Sequence, residues 1–179
     1  MGSNLTKFEN EPLDRTDALL VEALQRDAKQ SLADLGEVVG LSAPAVHERV
    51  RKLEQRGIIR GYHALLDAKA VGLDITAFVG VGVRDPACIS GVEAWVVERP
   101  EILECHHITG NYTLLIKAKV KNTSALEALI NSIRAREGVT GTDTMVVFST
   151  SVERIPVALD VPAADPAARR RGRPRKKAS

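Results

Sequence analysis

From Leu13 the apolar positions repeat at helical spacing, with Leu13, Leu20, Val21 and Leu24 on one stripe. Asp14 and Asp17 suit the cap and third position of a first turn, near the positive end of the helix dipole. After a break at residues 27–30, Ser31 caps a short helix that carries Leu32, Leu35 and Val39 inward. Gly40 ends it, where a left-handed backbone costs glycine little. Ser42 is the next N-cap, with Pro44 in a first turn that does not need its N–H. Val46, Val50 and Leu53 form the buried stripe of this third helix, and Gly57 ends it. Ile58 to Leu66 alternates poorly and predicts a short strand pair or wing. Three short helices, the last two joined by a tight glycine turn, describe a helix-turn-helix, and the small Gly36 allows its helices to cross closely.

Residues 67–74 read as a connector, and after them the period changes. Ile75 to Val83 is β-branched with interior glycines, as a strand requires, and Pro86 breaks it. Ile89 to Glu98 predicts a helix with Val92, Val96 and Trp95 inward, ended by Pro100. Ile102 to Thr109 and Thr113 to Val120 are strands joined through Gly110-Asn111. Thr123 or Ser124 caps a helix with Leu126, Leu129, Ile130 and Ile133 inward, and Gly138 ends it. A last strand lies within Val139 to Val152. The order βαββαβ is the ferredoxin-like arrangement, so the fold class is α+β: a winged helix-turn-helix, then a ferredoxin-like domain. With both helices on one face of four strands, the other face stays open and invites a second copy.

Charge changes this picture at one end. The chain has 179 residues, with 25 Lys and Arg against 23 Asp and Glu. Seven of the cations lie between Arg169 and Lys177, which leaves 18 cations against 23 anions in residues 1–168, a net charge of −5. A weakly acidic body with a basic tail points to a polyanionic partner for the tail. The longest nearly apolar stretch, Ile75 to Val83, has nine residues, against about 20 for a membrane span, so no membrane partner is expected. The first residues lack the basic-then-apolar pattern of an export signal, and a cytoplasmic location is expected. Cys88 and Cys105 make neither a disulfide framework nor a zinc finger. The expected organisation is a flexible arm over 1–12, a winged helix-turn-helix domain over 13–66, a linker over 67–74, a self-associating ferredoxin-like domain over 75–159 and a disordered basic tail over 160–179.

Four stretches carry a likeness to a known family. Leu13-Asp14-Arg15-Thr16-Asp17, Gly40-Leu41-Ser42, the run from Arg49 to Tyr62, and Glu104 to Gly110 resemble the Lrp/AsnC (feast/famine) transcriptional regulators, over about Leu13 to Leu159. The resemblance implies double-stranded DNA as partner, self-association into dimers and up to octamers, and a small amino-acid-like effector at an oligomer interface. No cofactor and no enzymatic activity are expected, since the sequence shows no nucleophile–base pair, phosphate loop or metal cluster. Residues 32–51 become the helix-turn-helix, and Ala43 to Gln55 the recognition helix.

Outside the inward stripe that helix presents Ser42, Ala43, Ala45, His47, Glu48, Arg49, Arg51 and Lys52, the expected DNA-binding residues. The N-terminal residues of such a helix reach base edges while flanking cations neutralise phosphates. His47 and Glu48 are thus candidates for bases, and Arg49, Arg51 and Lys52 for phosphates.

In the family the turn after the second strand of the effector domain helps to form the pocket. Here it reads Gly110, Asn111, Tyr112, Thr113, where the family usually has Gly-Asp-aromatic-Asp. A threonine offers neutral hydrogen bonds where an aspartate would pair with an ammonium group. Either Glu104 replaces the charge, or the ligand lacks an amino group, or the domain no longer senses. With His106, and with Thr142 and Thr144 on the last strand, these residues form the expected effector-binding set.

Glu104 and His106 alternate with Cys105 and His107 along a strand, two ligands per face, too few for a closed metal site. A buried or interfacial histidine is expected instead. Arg171, Gly172, Arg173 and Pro174 resemble the core of an AT-hook: glycine lies deep in a narrow groove, proline favours an extended path, and the arginines meet the negative potential of A·T-rich minor grooves. Two further readings stand beside a ligand-responsive regulator. One is an architectural nucleoid protein that bridges A·T-rich DNA without an effector. The other is an enzyme resembling sirohaem decarboxylases, with His106 or His107 as acid or ligand.

Overall fold

Each N-terminal helix begins where a side chain or a proline can take over an unfilled backbone position. In the computed structural model, which describes residues 12–163, Asp14 caps α1 (Arg15–Arg26) by accepting from the Asp17 N–H. Ser31 and Asp34 form a reciprocal capping box on α2 (Leu32–Val39), which stops at Gly40 with φ 72°. Ser42 is the N-cap of α3 (Ala43–Gln55) but makes no side-chain cap bond, and Pro44 occupies the first turn. Leu20, Ala23, Leu35 and Val46 are buried together at the centre of the three helices. Full burial of a side chain such as Leu20 or Leu35 is worth about 1.5–3 kcal/mol. Gly36 is required by the turn: a Cβ there would lie 2.4 Å from the Leu41 carbonyl oxygen.

The expected wing does not form among the described residues, since residues 58–66 contain no strand. The N–H groups of Ile58 and Ile59 both return to the Leu53 carbonyl after the left-handed Gly57. The start of the supposed strand is therefore taken up in stopping α3. Tyr62, Leu65 and Leu66 beyond it are exposed.

The second half contains β1 (Ile75–Val83), α4 (Pro86–Val97), β2 (Ile102–His107), β3 (Leu114–Val120), α5 (Thr123–Arg134) and β4 (Val139–Val146). The sheet order is β2-β3-β1-β4, antiparallel throughout. Val79, Val81, Leu114 and Ile116 are buried against Val92 and Val96 of α4 and Leu126, Leu129 and Ile133 of α5. Both helices thus cover one face, as the ferredoxin-like order predicts. Several boundaries are set by the structure, with β2 ending at His107 rather than Thr109 and β3 starting at Leu114 rather than Thr113. Pro86 opens α4 rather than merely ending β1, because a first-turn proline needs no N–H partner. Asn122, not Thr123 or Ser124, caps α5. β4 stops at Val146, because the Val147 N–H reaches Thr76, next to the first residue of β1, and the ladder has no partner further on.

Two units result: residues 12–63 together with 154–163, and residues 64–153. In the first, the segment after the sheet lies along α1, where Gln25 accepts from the Val157 N–H and donates to its carbonyl, and Arg15 donates to the Pro162 carbonyl. The expected arm over residues 1–11 and the hook residues 171–174 lie outside the described residues.

Gly36→Ala is expected to destabilise the chain by about 1–3 kcal/mol, since the new methyl meets a backbone carbonyl. Gly91→Ala, in α4 with nothing within 4 Å of its added Cβ, should instead gain up to about 1 kcal/mol. Urea denaturation of both variants checks the contrast; equal effects would refute the close approach at Gly36.

Candidate nucleic-acid interface and effector surface

α3 is buried on one side through Val46 and Leu53, so its remaining positions divide into a side and an outer stripe. Ser42, His47, Glu48, Arg51 and Lys52 are exposed, while Ala43 and Ala45 are half-buried. Glu48 pairs with Arg51 at 3.0 Å and lies 4.0 Å from His47 Nδ1. The hydrogen bond from Arg51 holds the Glu48 carboxyl below its ordinary pKa and raises that of Arg51.

Arg49 has a different setting from the other cations of α3. Its Nη1 donates to Asp14 Oδ2 and to Asp17 Oδ1, each at 2.7 Å, and Arg56 lies 4.0 Å from Asp17. Partial burial pushes the Asp14 carboxyl up, but the Asp17 N–H and the Arg49 guanidinium outweigh it and leave it below its ordinary value. The two aspartates raise the Arg49 pKa in turn. The guanidinium thus ties α3 to the start of α1. Beside it a groove of about 620 Å³ runs between the helices, with Lys52, Gln55 and Arg56 on its wall. At the end of α3 the Tyr62 hydroxyl donates to Glu54 at 3.0 Å; burial and then that carboxylate push its pKa up to about 12.

The expected effector residues fall into three places on the sheet unit. Glu104 and His106 pair with Lys117 and Leu115, on the face away from the helices. There Glu104 accepts from Lys117 at 3.1 Å and contacts His106 at 3.2 Å, and Lys117 also reaches Glu153 at 2.6 Å. The His106 contact, opposed by partial burial and joined by Lys117, holds Glu104 below its ordinary pKa. His107, on the opposite face, meets Glu93 of α4 at 2.7 Å. Both histidines keep more than half of their side-chain surface exposed, so of the two expected settings neither is buried within the chain, and the interfacial one stays open. Among the described residues no group of His, Cys, Asp and Glu is arranged to hold a metal ion.

The turn is the second place. Gly110 has φ 117°, which favours glycine. The Thr113 hydroxyl turns inward, accepting from the Val83 N–H at 3.2 Å and lying 3.4 Å from its carbonyl. The Tyr112 ring lies over Gly80, where a Cβ would come within 2.6 Å of it, and its hydroxyl donates to Asp143 at 2.5 Å. Thr142 and Thr144 form the third place, in a groove of about 480 Å³ with Thr123, Asn131 and Arg134 of α5. Arg134 Nε donates to the Thr142 hydroxyl at 2.7 Å.

Asp143, Arg134, Glu153 and the Asp14–Asp17–Arg49 cluster were not singled out from sequence. Asp143 carried a usable signal, a carboxylate between two threonines already assigned to the site. The aspartates were read as helix-start residues, and nothing in their spacing shows which arginine they meet.

A helix-turn-helix with an exposed, cation-bearing third helix, in one chain with a separate one-sided sheet unit, defines a DNA-binding transcriptional regulator with a second domain for other contacts. The AsnC-type helix-turn-helix domain matches residues 13–54, and the Lrp/AsnC ligand binding domain matches residues 76–157. The chain is 35% identical over 142 residues to the HTH-type transcriptional regulator FL11 of Pyrococcus horikoshii, covering 79% of this chain and 93% of that protein. It is 34% identical over 149 residues to the HTH-type transcriptional regulator LrpA of Mycobacterium tuberculosis, covering 82% and 99%. A Neisseria meningitidis transcriptional regulator solved with L-Met superposes with a TM-score of 0.78 at 28% identity, over 83% of this chain and 98% of that one. The chain belongs to the Lrp/AsnC family of transcriptional regulators. Its relatives are named regulators, so the enzyme reading is set aside.

Asp14 has a lowered pKa in the folded chain, so its contribution to stability is complete above about pH 4 and is lost as the pH falls through the folded value. Arg49→Met is therefore expected to destabilise by about 1 kcal/mol at pH 7, with the difference narrowing by about pH 2 as the carboxylates protonate. Urea titrations at both pH values test this; an unchanged gap would assign the loss to packing of the arginine stem.

Proposed function

We propose that this DNA-binding regulator is sequence-specific and that the outer stripe of α3 reads the major groove. The observation that carries the reading is the division of α3: Arg49 is held from behind by Asp14 and Asp17, while Ser42, His47, Arg51 and Lys52 face outward. Ser42, Ala43 and His47, at the N-terminal end, meet base edges, with Ala45 and Glu48 beside them. Glu48 aims Arg51 along the groove, and Lys52 neutralises a phosphate. Arg49, first a phosphate candidate, becomes a positioning residue for the helix.

The working form is a dimer, assembling further up to an octamer, acting on DNA at the cytoplasmic nucleoid. The open sheet face supports this, since Met145, paired with Phe78 on that face, is 46% exposed, and Phe148 just beyond β4 is 99% exposed. An amino-acid-like effector binds between subunits beside the turn Gly110–Thr113 and the groove of Thr142 and Thr144. Asp143 supplies the carboxylate that Asn111 and Thr113 do not. This leaves Glu104 and His106 with Lys117 on the sheet face, as interface residues. Two solved relatives support the ligand class: the Neisseria regulator, and a feast or famine regulatory protein of M. tuberculosis complexed with L-methionine, with a TM-score of 0.76 at 31% identity. Arg171 to Pro174 act as a minor-groove hook. The internal partners of Tyr112, Thr113 and Thr142 favour, as second reading, an architectural protein without an effector.

Fluorescence anisotropy on DNA from upstream of its own gene, beside a composition-matched scrambled duplex, separates the two. The regulator reading expects a preference that persists in moderate salt; equal binding that collapses as salt rises would replace it with the architectural one. His47→Ala should cost about 1–3 kcal/mol of discrimination. Lys52→Ala should weaken both duplexes alike and lower the salt slope by about 1.

A further inference from the structure

The sequence places the seven clustered cations after the sheet domain, so chain order alone would hang them from it. The fold places their point of departure elsewhere. Residues 154–163 belong to the helix-turn-helix unit. They run antiparallel to α1, fastened near its last turn by the two hydrogen bonds between Gln25 and Val157, at 2.6 and 3.1 Å. Arg15 at its first turn donates to the Pro162 carbonyl at 2.7 Å. Arg15 lies between Asp14 and Asp17, the two carboxylates that hold Arg49 of α3. Before the strap begins, Glu153 is pinned on the sheet by Lys117 at 2.6 Å and by Lys119 at 3.8 Å.

We infer that residues 154–163 are a launching strap: they start the basic stretch at the N-terminus of α1, so that it enters an A·T-rich minor groove on the same duplex, within one helical turn of the site that α3 reads. This rests on the reading of Arg171 to Pro174 as a minor-groove hook. Distance sets the limit. Arg171 is eight residues beyond Ala163, and an extended chain of that length spans about 27 Å. That is about eight base pairs of duplex. With the strap released, the nearest fixed point is Glu153, eighteen residues away, with a reach of about 60 Å. Effective concentration falls as about the −3/2 power of tether length, so release costs about threefold in tail-dependent affinity and removes the preference for a near tract. The strap supplies proximity, and Gln25 and Arg15 act as positioning residues that need not touch DNA.

The test uses a half-site selected from random duplexes by the full chain, with an A·T tract starting either five or about fifteen base pairs from its edge. Anisotropy compares the full chain, the chain ending at Ala163, and Gln25→Ala combined with Arg15→Ala, with and without residues 164–179. The strap predicts a gain from the tail on the near-tract duplex, reduced about threefold and equal for both spacings in the double variant. It predicts no effect of the double variant in the shortened chain, which also controls for folding and for direct DNA contact. Gln25→Glu, which keeps the bond from the Val157 N–H and loses the other, should fall between. No gain from residues 164–179 on either duplex overturns the hook reading. A gain that is independent of spacing and untouched by the double variant overturns the strap and leaves the hook in place.

Discussion

A recognition helix works only if it is held from behind, and here Arg49 does much of that holding. One guanidinium nitrogen bridges Asp14 and Asp17, so the cap of α1 and its third residue fix the rotation of α3. A bifurcated contact to two carboxylates constrains direction more than a single surface pair does. With Val46 and Leu53 buried beneath, the helix has little freedom to turn about its axis, and His47, Arg51 and Lys52 are left facing outward. Arg15 connects the strap to the same helix start. The start of α1 therefore holds both α3 and the segment that leads into the basic stretch.

The sheet unit follows a different rule. Its two helices lie on one face, and the other face carries an ion network in which Lys117 joins Glu104 to Glu153. Single exposed pairs contribute little, but a network with a lysine 15% exposed has less water to screen it. Around it the sheet retains exposed apolar residues suited to a second copy. The turn that resembles the family's effector contact is closed on itself, with Tyr112 lying over Gly80 and bonded to Asp143. On the proposed reading, a ligand at this turn competes with those internal bonds, and only a difference in affinity between the closed and opened turn can shift the equilibrium.

Much of the fold is legible from local rules. Caps, glycine stops and the change from helical to alternating period place all three N-terminal helices and the βαββαβ order, because those signals act over a few residues. The errors have a common origin. The wing is read from Ile58 and Ile59, whose N–H groups are used by the stop of α3; where β4 ends within Val139 to Val152 is not set locally, because its length depends on where β1 starts. In the candidate site, spacing along one helix identified the outward cations but not which of them already had a partner across the helix bundle.

The sequence by itself determined the two domain types, the exposed face of the recognition helix and the basic stretch, because composition and periodicity decide which residues avoid water. Tertiary structure decided which charges are free to act. It placed Arg49 against two aspartates, turned Thr113 toward Val83, supplied Asp143 to Tyr112, and laid residues 154–163 along α1. These pairings join residues 30 to 147 positions apart. They depend on how whole elements pack, and no local pattern encodes that.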